Sequence, residues 1–186
     1  MFLTNRLVLR GYRPSDQDFF LDLFDTYNVL SNLTADITAP GYDNHRDMLG
    51  KMTKCALFVV VEDKETHETM GFTLVNVTTP RDLDGEVGMA LAEKWWGKGY
   101  ATEIMEWLLG YSFKILGLRR LSLFVFSSNE RAISLYENIG FKHEGRKREA
   151  LWKEGRWVDL VWMGMLSREY SPTTEQAQGN AKEGIA

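Results

Sequence analysis

Apolar residues along the chain follow two periodicities, one typical of β-strands and the other of amphipathic helices. Leucines alternate with polar residues over part of segment 3–10, which predicts a strand. From Ser15, a candidate N-cap, to Tyr27, apolar residues recur at three- and four-residue steps and predict a helix with one apolar face. A second, shorter helix is predicted over residues 44–54.

Strand-like and helix-like segments continue to alternate toward the C-terminus. Strands are predicted at 55–62, 69–77, 86–91, 121–126, 141–152 and 156–165. A long helix that begins near Ala101 is ended by Gly117, and a second one, at 130–138, is ended by Gly140. The order β, α, α, β, β, β, α, β, α, β, β predicts a mixed α/β sheet with helices on its faces.

The length and composition of the chain predict one globular domain. The chain has 186 residues, and domains usually contain about 100–200, so we assign residues 1–170 to a single domain. Hydrophobic residues make up 44% and charged residues 26%, which is ordinary for a globular protein. Residues 171–186 are polar with little to bury, which predicts a disordered C-terminal tail.

Charge and cysteine content argue against several classes of function. A net charge of −4 disfavours a nucleic-acid-binding module, which usually carries a basic face. Cys55 is the single cysteine and has no histidine at metal-ligand spacing, so we expect neither an intramolecular disulfide nor a metal site. Without a secretory signal or an apolar run near the ~18 residues of a membrane span, the chain is predicted to be cytoplasmic and not membrane-bound.

A glycine-bearing loop, Trp96 to Ala101, precedes the long helix. Gly97 and Gly99 permit positive φ and let a ligand approach the main chain closely. Unpaired N–H groups and the positive end of the helix dipole favour an anion such as a pyrophosphate, to which Lys98 would add charge. A tight connection without a ligand is the alternative. A nucleotide-binding dehydrogenase is disfavoured, because Thr102 occupies the third glycine position of the Gly-x-Gly-x-x-Gly dinucleotide-binding motif.

A second motif lies on the helix at 130–138. Asn129 and Tyr136 are two helical turns apart and project on the same side, with the small Ala132 between them. An amide and a phenol so placed would line one groove. The alternative interpretation is a capping asparagine and a core tyrosine.

Together the two motifs resemble the GNAT superfamily of N-acetyltransferases. The resemblance rests on the glycine loop, a strand, and then the pattern Asn129-x-x-Ala132-x-x-x-Tyr136-x-x-x-Gly140-Phe141. Segments 4–10 and 86–91 are similar to the ribosomal-protein N-terminal acetyltransferase-like branch, which also includes small-molecule acetyltransferases. The resemblance covers about residues 3 to 168 and implies a central, mostly antiparallel sheet with one splayed parallel strand pair.

The resemblance also implies acetyl-CoA as the co-substrate and a set of residues that bind it. Main-chain N–H groups of the loop would hold the pyrophosphate, the strand around Ala90 would pair with the pantetheine arm, and Tyr136 would face the sulfur. The implied cofactor-binding residues are Met89, Ala90, Leu91, Trp96, Gly97, Lys98, Gly99, Tyr100, Ala101, Thr102, Asn129, Ala132 and Tyr136. The chain departs from the broad superfamily pattern at Trp96, where Gln or Arg is usual.

The predicted reaction is direct transfer of an acetyl group to a primary amine in a ternary complex. An amine is largely protonated at neutral pH, so a base must accept its proton; Glu86 is the candidate, and a water chain is the alternative. Tyr136 is the candidate acid for the leaving thiolate, and a main-chain N–H near Met89 would stabilise the oxyanion. A non-catalytic acyl-CoA-binding module is a further alternative.

The identity of the acceptor stays open in the sequence. A small molecule, such as a polyamine, amino sugar, amino acid or antibiotic, and a protein N-terminus are both compatible with it. Candidate aromatic lining residues are Phe24, Tyr27, Tyr42, Trp152 and Trp157, and candidate acidic residues are Asp36, Asp43 and Glu149. Exposed apolar surface would support a homodimer.

Overall fold

The computed structural model describes residues 1–34 and 42–171 and shows eight strands and five α-helices within them. The strands are β1 (Phe2–Leu3), β2 (Leu7–Arg10), β3 (Leu57–Asp63), β4 (Thr69–Asn76), β5 (Asp84–Leu91), β6 (Arg120–Phe126), β7 (Lys142–Lys153) and β8 (Arg156–Leu166). The helices are α1 (Gln17–Asp25), α2 (Tyr27–Leu33), α3 (Tyr42–Met52), α4 (Tyr100–Lys114) and α5 (Glu130–Ile139). Apart from Ser171, the tail predicted to be disordered lies outside the described residues.

All eight strands form one sheet in the order β1-β2-β3-β4-β5-β6-β8-β7. Every neighbouring pair is antiparallel except β5 and β6, which are parallel. Their pairing covers only Asp84–Glu86 against Arg120–Ser122, although both strands continue well beyond it. The expected mostly antiparallel sheet with one splayed parallel pair is therefore confirmed.

Helices cover both faces of the sheet. Successive side chains of a strand point to opposite faces, so neighbouring residues of β3 pack against different helices. On one face, Val59 and Val61 of β3 pack in a buried cluster with Ile104 of α4. On the other face, Val60 packs with Phe20 of α1. We call these the α4–α5 face and the α1–α3 face.

The N-terminal region differs from the sequence prediction in three respects. Segment 3–10 forms two short antiparallel strands rather than one, because the chain turns at Thr4, whose N–H donates to Leu7 O at 3.0 Å. Ser15 is not a cap but lies in a short 3₁₀ turn, where the Asp16 carboxylate accepts the Arg13 N–H at 2.7 Å. The predicted helix is interrupted at Thr26, which is extended (φ −78°, ψ 111°), and α2 follows it.

The later elements match their predictions within a few residues, with one difference at the end of α4. This helix ends at Lys114, three residues before Gly117, whose φ of +65° marks the following turn. Gly140 does end α5, with φ of +109°. A glycine therefore caps the C-terminus of α5 but not that of α4.

Candidate active site

The splay between β5 and β6 begins at a polar cluster at the base of the two strands. The Asp84 carboxylate accepts hydrogen bonds from Ser122 Oγ at 3.0 Å and Arg120 Nε at 3.1 Å. Beyond Glu86, β5 pairs only with β4, and β6 pairs only with β8. The facing edges of β5 and β6 therefore offer free main-chain groups to an extended, amide-bearing ligand.

A cavity of about 600 Å³ opens at this gap. It is lined by β5, the glycine loop, the first turn of α4, α5 and parts of α2, α3, β4 and β6. Every residue assigned to cofactor binding from the sequence lines the cavity except Lys98, and the candidate base Glu86 lines it as well. The two sequence motifs therefore meet at one site, while their roles in binding remain predictions.

The glycine loop presents the N-terminus of α4 to the cavity. Gly97 and Gly99 have φ of +74° and +80°, so both occupy the left-handed region that favours glycine. Gly99 is the N-cap of α4, and helix geometry leaves the N–H groups of the first turn without intrahelical acceptors. These donors and the helix dipole make the loop suited to a pyrophosphate.

The positive charge beside the loop comes from Arg131 rather than from Lys98. Lys98 does not line the cavity, and its ammonium lies 5.4 Å from the ring centroid of Trp95, a residue that does line it. Arg131 does line it, and a Cβ built on Gly97 would lie 3.5 Å from its guanidinium. Sequence reasoning missed Arg131; its place in the first turn of α5, two residues after the Asn129 cap, is the signal that would have indicated it.

Trp96, where the chain departs from the superfamily pattern, ties the loop to β5. Its indole Nε1–H donates to the Leu91 carbonyl oxygen at 2.7 Å. The Arg131 guanidinium lies 5.7 Å from the Trp96 ring centroid, within the range of a cation–π contact. Trp96 therefore fixes the loop against the last residue of the open strand.

Asn129 and Tyr136, which the sequence analysis placed on one side of a helix, lie at the N-cap and in the last turns of α5. Asn129 is the N-cap, and its side-chain oxygen accepts the Ala132 N–H at 3.1 Å, as the alternative interpretation of this motif states. Tyr136 is 9% exposed, and burial raises its pKa to about 12. Its phenol therefore stays protonated at any physiological pH.

Glu86 approaches the cavity from the opposite side of the gap. In β5, Val87 and Leu91 pack with the α4–α5 face, so the neighbouring Glu86 side chain points to the α1–α3 face. Burial, followed by the charge of Asp84, raises the pKa of the half-buried Glu86 carboxyl. Burial and the charge of Glu86 also raise the pKa of the Cys55 thiol, which disfavours the thiolate that a nucleophile would need.

None of the aromatic residues proposed as acceptor platform lines the cavity, among those whose side chains the structure describes. Phe24 is fully buried in the core, and Tyr27 is 62% exposed, with its hydroxyl 2.9 Å from Glu154 Oε1. Trp152 and Trp157 form an exposed edge-to-face pair on the β7–β8 hairpin. The wall is instead supplied in part by α2, a helix that the sequence analysis did not predict.

The acidic candidates also lie away from the cavity where they are described. Asp43 and Glu149 are exposed and do not line it. Asp36 and the side chain of Tyr42 lie outside the described residues. Among residues 1–34 and 42–171 there is no group of three or more His, Cys, Asp or Glu side chains that would hold a metal ion. No helix in these ranges is long and apolar enough to cross a membrane.

Comparison with known proteins agrees with this geometry. The profile of the acetyltransferase (GNAT) domain family matches residues 6–142. The uncharacterized N-acetyltransferase p20 of Bacillus licheniformis is 29% identical over 90% of this chain and 97% of its own length. The Escherichia coli [ribosomal protein uS5]-alanine N-acetyltransferase is 26% identical over 46% of this chain and 44% of that enzyme.

A solved structure extends the comparison to a liganded enzyme. The crystal structure of spermidine N-acetyltransferase from Vibrio cholerae in complex with CoA and spermine superposes with a TM-score of 0.80. The two chains are 27% identical, and the match covers 90% of this chain and 99% of the other. Fold, cavity, family profile and relatives agree, and the chain belongs to the GNAT acetyltransferase family.

Proposed function

We propose that this acetyltransferase transfers the acetyl group of acetyl-CoA to the primary amine of a small molecule, by direct attack in a ternary complex. The observation that carries the proposal is the placement of Glu86 and Tyr136 on opposite sides of the β5–β6 gap, both lining one cavity with the glycine loop. The proposed base and the proposed hydrogen-bond donor to the leaving sulfur would then lie on either side of an extended thioester.

The residues of the cavity suit the parts of acetyl-CoA in turn. The first-turn N–H groups of α4 and the Arg131 guanidinium would bind the pyrophosphate. The open edge of β5 from Val87 to Leu91 would hydrogen-bond the amides of the pantetheine arm. The thioester would then lie near Tyr136, which faces the gap from α5.

Glu86 is proposed as the group that accepts the amine proton. Its carboxyl is half-buried with a raised pKa, which makes the carboxylate a stronger base than an exposed glutamate. Loss of the proton frees the nitrogen lone pair, a C–N bond forms to the thioester carbonyl carbon, and the C–S bond then breaks. A main-chain N–H near Met89 would donate to the carbonyl oxygen as it gains charge.

Tyr136 is proposed to stabilise the leaving sulfur. With a pKa of about 12 its phenol is a weaker acid than a thiol of pKa about 8.5, so its main contribution is a hydrogen bond to the developing thiolate. Among the described residues no hydrogen bond to the Tyr136 hydroxyl is formed, which leaves its O–H available to the ligand.

A small-molecule acceptor is favoured over a protein N-terminus. The relative that acts on a ribosomal protein matches less than half of this chain, whereas the Vibrio cholerae enzyme solved with CoA and spermine matches 90% of it. Acetyl-CoA is available in the cytoplasm, so we place the reaction there. A homodimer is part of the proposal, since Phe2, Trp152 and Trp157 supply exposed apolar surface.

Steady-state kinetics test the proposal directly. Thiol release from acetyl-CoA should depend on a small primary amine, with intersecting initial-velocity patterns and an N-acetylated product detected by mass spectrometry. Parallel lines, or an acetylated enzyme isolated without acceptor, would contradict direct transfer. Activity confined to peptides with a free N-terminus would favour the protein acetyltransferase instead.

A further inference from the structure

The cavity reaches through the β5–β6 gap onto the α1–α3 face. Residues opposite each other in an antiparallel pair point to the same side of a sheet. Ala90 lies opposite Phe72 and Gly88 lies opposite Leu74, and both partners belong to the core cluster of the α1–α3 face. Glu86, two residues from Gly88, therefore faces the same layer as these side chains.

Gly88 and Ala90 contribute little side-chain volume to the floor of this part of the cavity. Between them they carry one methyl group on the α1–α3 side of β5. A Cβ on Gly88 would lie 3.1 Å from Leu74 Cδ1, so the Leu74 side chain occupies the space directly over Gly88 and forms part of the floor. An apolar group of a ligand can therefore lie against Leu74, on the same side of the sheet as the Glu86 carboxylate.

The walls of this part of the cavity are mainly apolar. Leu33 of α2 and Met52 of α3 are half-buried and supply accessible apolar surface, and Val29, Phe72 and Leu74 form the buried layer behind it. The exposed amide of Asn32 is the polar wall group contributed by α2. Among the described lining residues, Glu86 is the one carboxylate.

We propose that the acceptor is a primary amine carried on a compact apolar group, with its nitrogen beside Glu86 and its apolar part against Leu33 and Met52. This inference rests on the proposed function and names the class of acceptor for the same site. An alkyl or aryl arm gains by leaving water for this wall. A second ammonium placed on the same arm would lose its hydration among aliphatic side chains, and no described lining residue other than Glu86 offers a carboxylate to compensate.

A preference for monoamines would distinguish this chain from the spermidine acetyltransferase that it resembles. The Vibrio cholerae relative was solved with spermine, a polyamine. The apolar wall formed by Leu33 and Met52 predicts the opposite preference here, for one nitrogen per acceptor rather than several.

Two amines of equal size give the sharpest test. Pentylamine and putrescine have the same number of heavy atoms and differ in whether the far end is a methyl or an ammonium group. We expect kcat/KM with acetyl-CoA to be at least tenfold higher for pentylamine. Across propylamine to pentylamine it should rise by up to about fourfold for each buried methylene. Equal values, or a preference for putrescine or spermidine, would overturn the inference while leaving the proposed function intact.

A wall substitution checks where the preference arises. Leu33→Asp should reduce or invert the ratio of pentylamine to putrescine at unchanged acetyl-CoA affinity, and Leu83→Asp, at an exposed loop residue, should not change it. If Leu33→Asp does not fold, Met52→Glu makes the same comparison. If a folded Leu33→Asp or Met52→Glu variant leaves the ratio of pentylamine to putrescine unchanged, Leu33 and Met52 do not form the acceptor wall. Absence of thiol release with every amine would overturn the proposed function and this inference with it.

Discussion

Arg6 Nε lies 2.7 Å from Glu103 Oε2, in an ion pair that joins the turn after β1 to the first turn of α4. The same guanidinium donates from Nη1 to the Lys98 carbonyl oxygen at 3.0 Å and lies 4.3 Å from the ring centroid of Tyr100. Arg6 does not line the cavity. It therefore supports the glycine loop from outside the cavity.

Removing this support should weaken cofactor binding more than catalysis. Arg6→Ala is expected to raise the dissociation constant of acetyl-CoA about fivefold, with kcat within about twofold, since a partly exposed pair contributes up to ~1 kcal/mol. Calorimetric titration and steady-state kinetics check the two effects. Lys142→Ala breaks the surface pair with Glu169 and serves as the control; an equal loss of affinity there would contradict a specific role for Arg6.

Arg131 should contribute to cofactor affinity through its charge. Arg131→Gln is expected to weaken acetyl-CoA binding about tenfold and to reduce the dependence of that binding on salt, because one phosphate contact is lost. Titrations at two ionic strengths measure both effects. Arg119→Gln removes the same charge from an exposed residue that does not line the cavity. If the two variants bind alike, Arg131 does not contact the cofactor.

Replacing the phenol on α5 should affect turnover rather than binding. Tyr136→Phe is expected to lower kcat about 100-fold, within the range for a lost acid or donor, with acetyl-CoA affinity nearly unchanged. Rapid-quench measurement of the acetylated product distinguishes the chemical step from product release. Tyr111→Phe, on α4 and stacked on Trp107, is the matched control. Unchanged turnover in Tyr136→Phe would remove the tyrosine from the mechanism.

Replacing Glu86 with Gln should raise the stability of the folded protein and lower its activity. Burial raises its pKa above 4.5, so the folded protein loses stability as pH rises from 4.5 through the raised pKa, where the carboxyl ionises. Glu86→Gln removes that loss and should melt at a higher temperature than the wild type near about pH 8, with the difference vanishing below about pH 4. Scanning calorimetry across this pH range measures the difference in melting temperature.

The same substitution should remove most of the activity. We expect kcat/KM to fall about 100-fold, and the wild-type rate to decline as pH falls through the raised pKa of Glu86. Glu65→Gln, at an exposed glutamate, provides the control for both measurements. A Glu86→Gln variant with wild-type activity would favour a water chain as the proton acceptor.

Residues that act through local chemistry were the most predictable from the sequence. Gly99, Asn129 and Gly140 define helix boundaries by their own conformations or hydrogen bonds, and the structure has them where the sequence placed them. The splay of β5 and β6 is different, since it depends on a contact between segments more than 30 residues apart. No local pattern encodes it, and it was expected only through the family resemblance.

The acceptor side of the cavity was the least predictable. Helix α2 has only seven residues and begins at a break that Thr26 makes in an otherwise helical apolar pattern, so Val29 and Leu33 were not recognised as lining residues. Lys98 was assigned to the cofactor because of its charge, but it does not line the cavity. Side-chain direction in loops depends on tertiary neighbours that periodicity does not contain.

Calorimetric titration of acetyl-CoA into the wild type and two glycine variants tests the central claim most directly. Gly97 and Gly117 have φ of +74° and +65°, so Gly97→Glu and Gly117→Glu impose similar backbone strain and the same added charge. Of these two glycines only Gly97 lines the cavity, and a Cβ built on it would lie 3.5 Å from the Arg131 guanidinium. We expect saturable binding that Gly97→Glu abolishes and Gly117→Glu leaves within about threefold of the wild type. Wild-type binding by a folded Gly97→Glu variant, or no binding by the wild type, would contradict the proposed cofactor site.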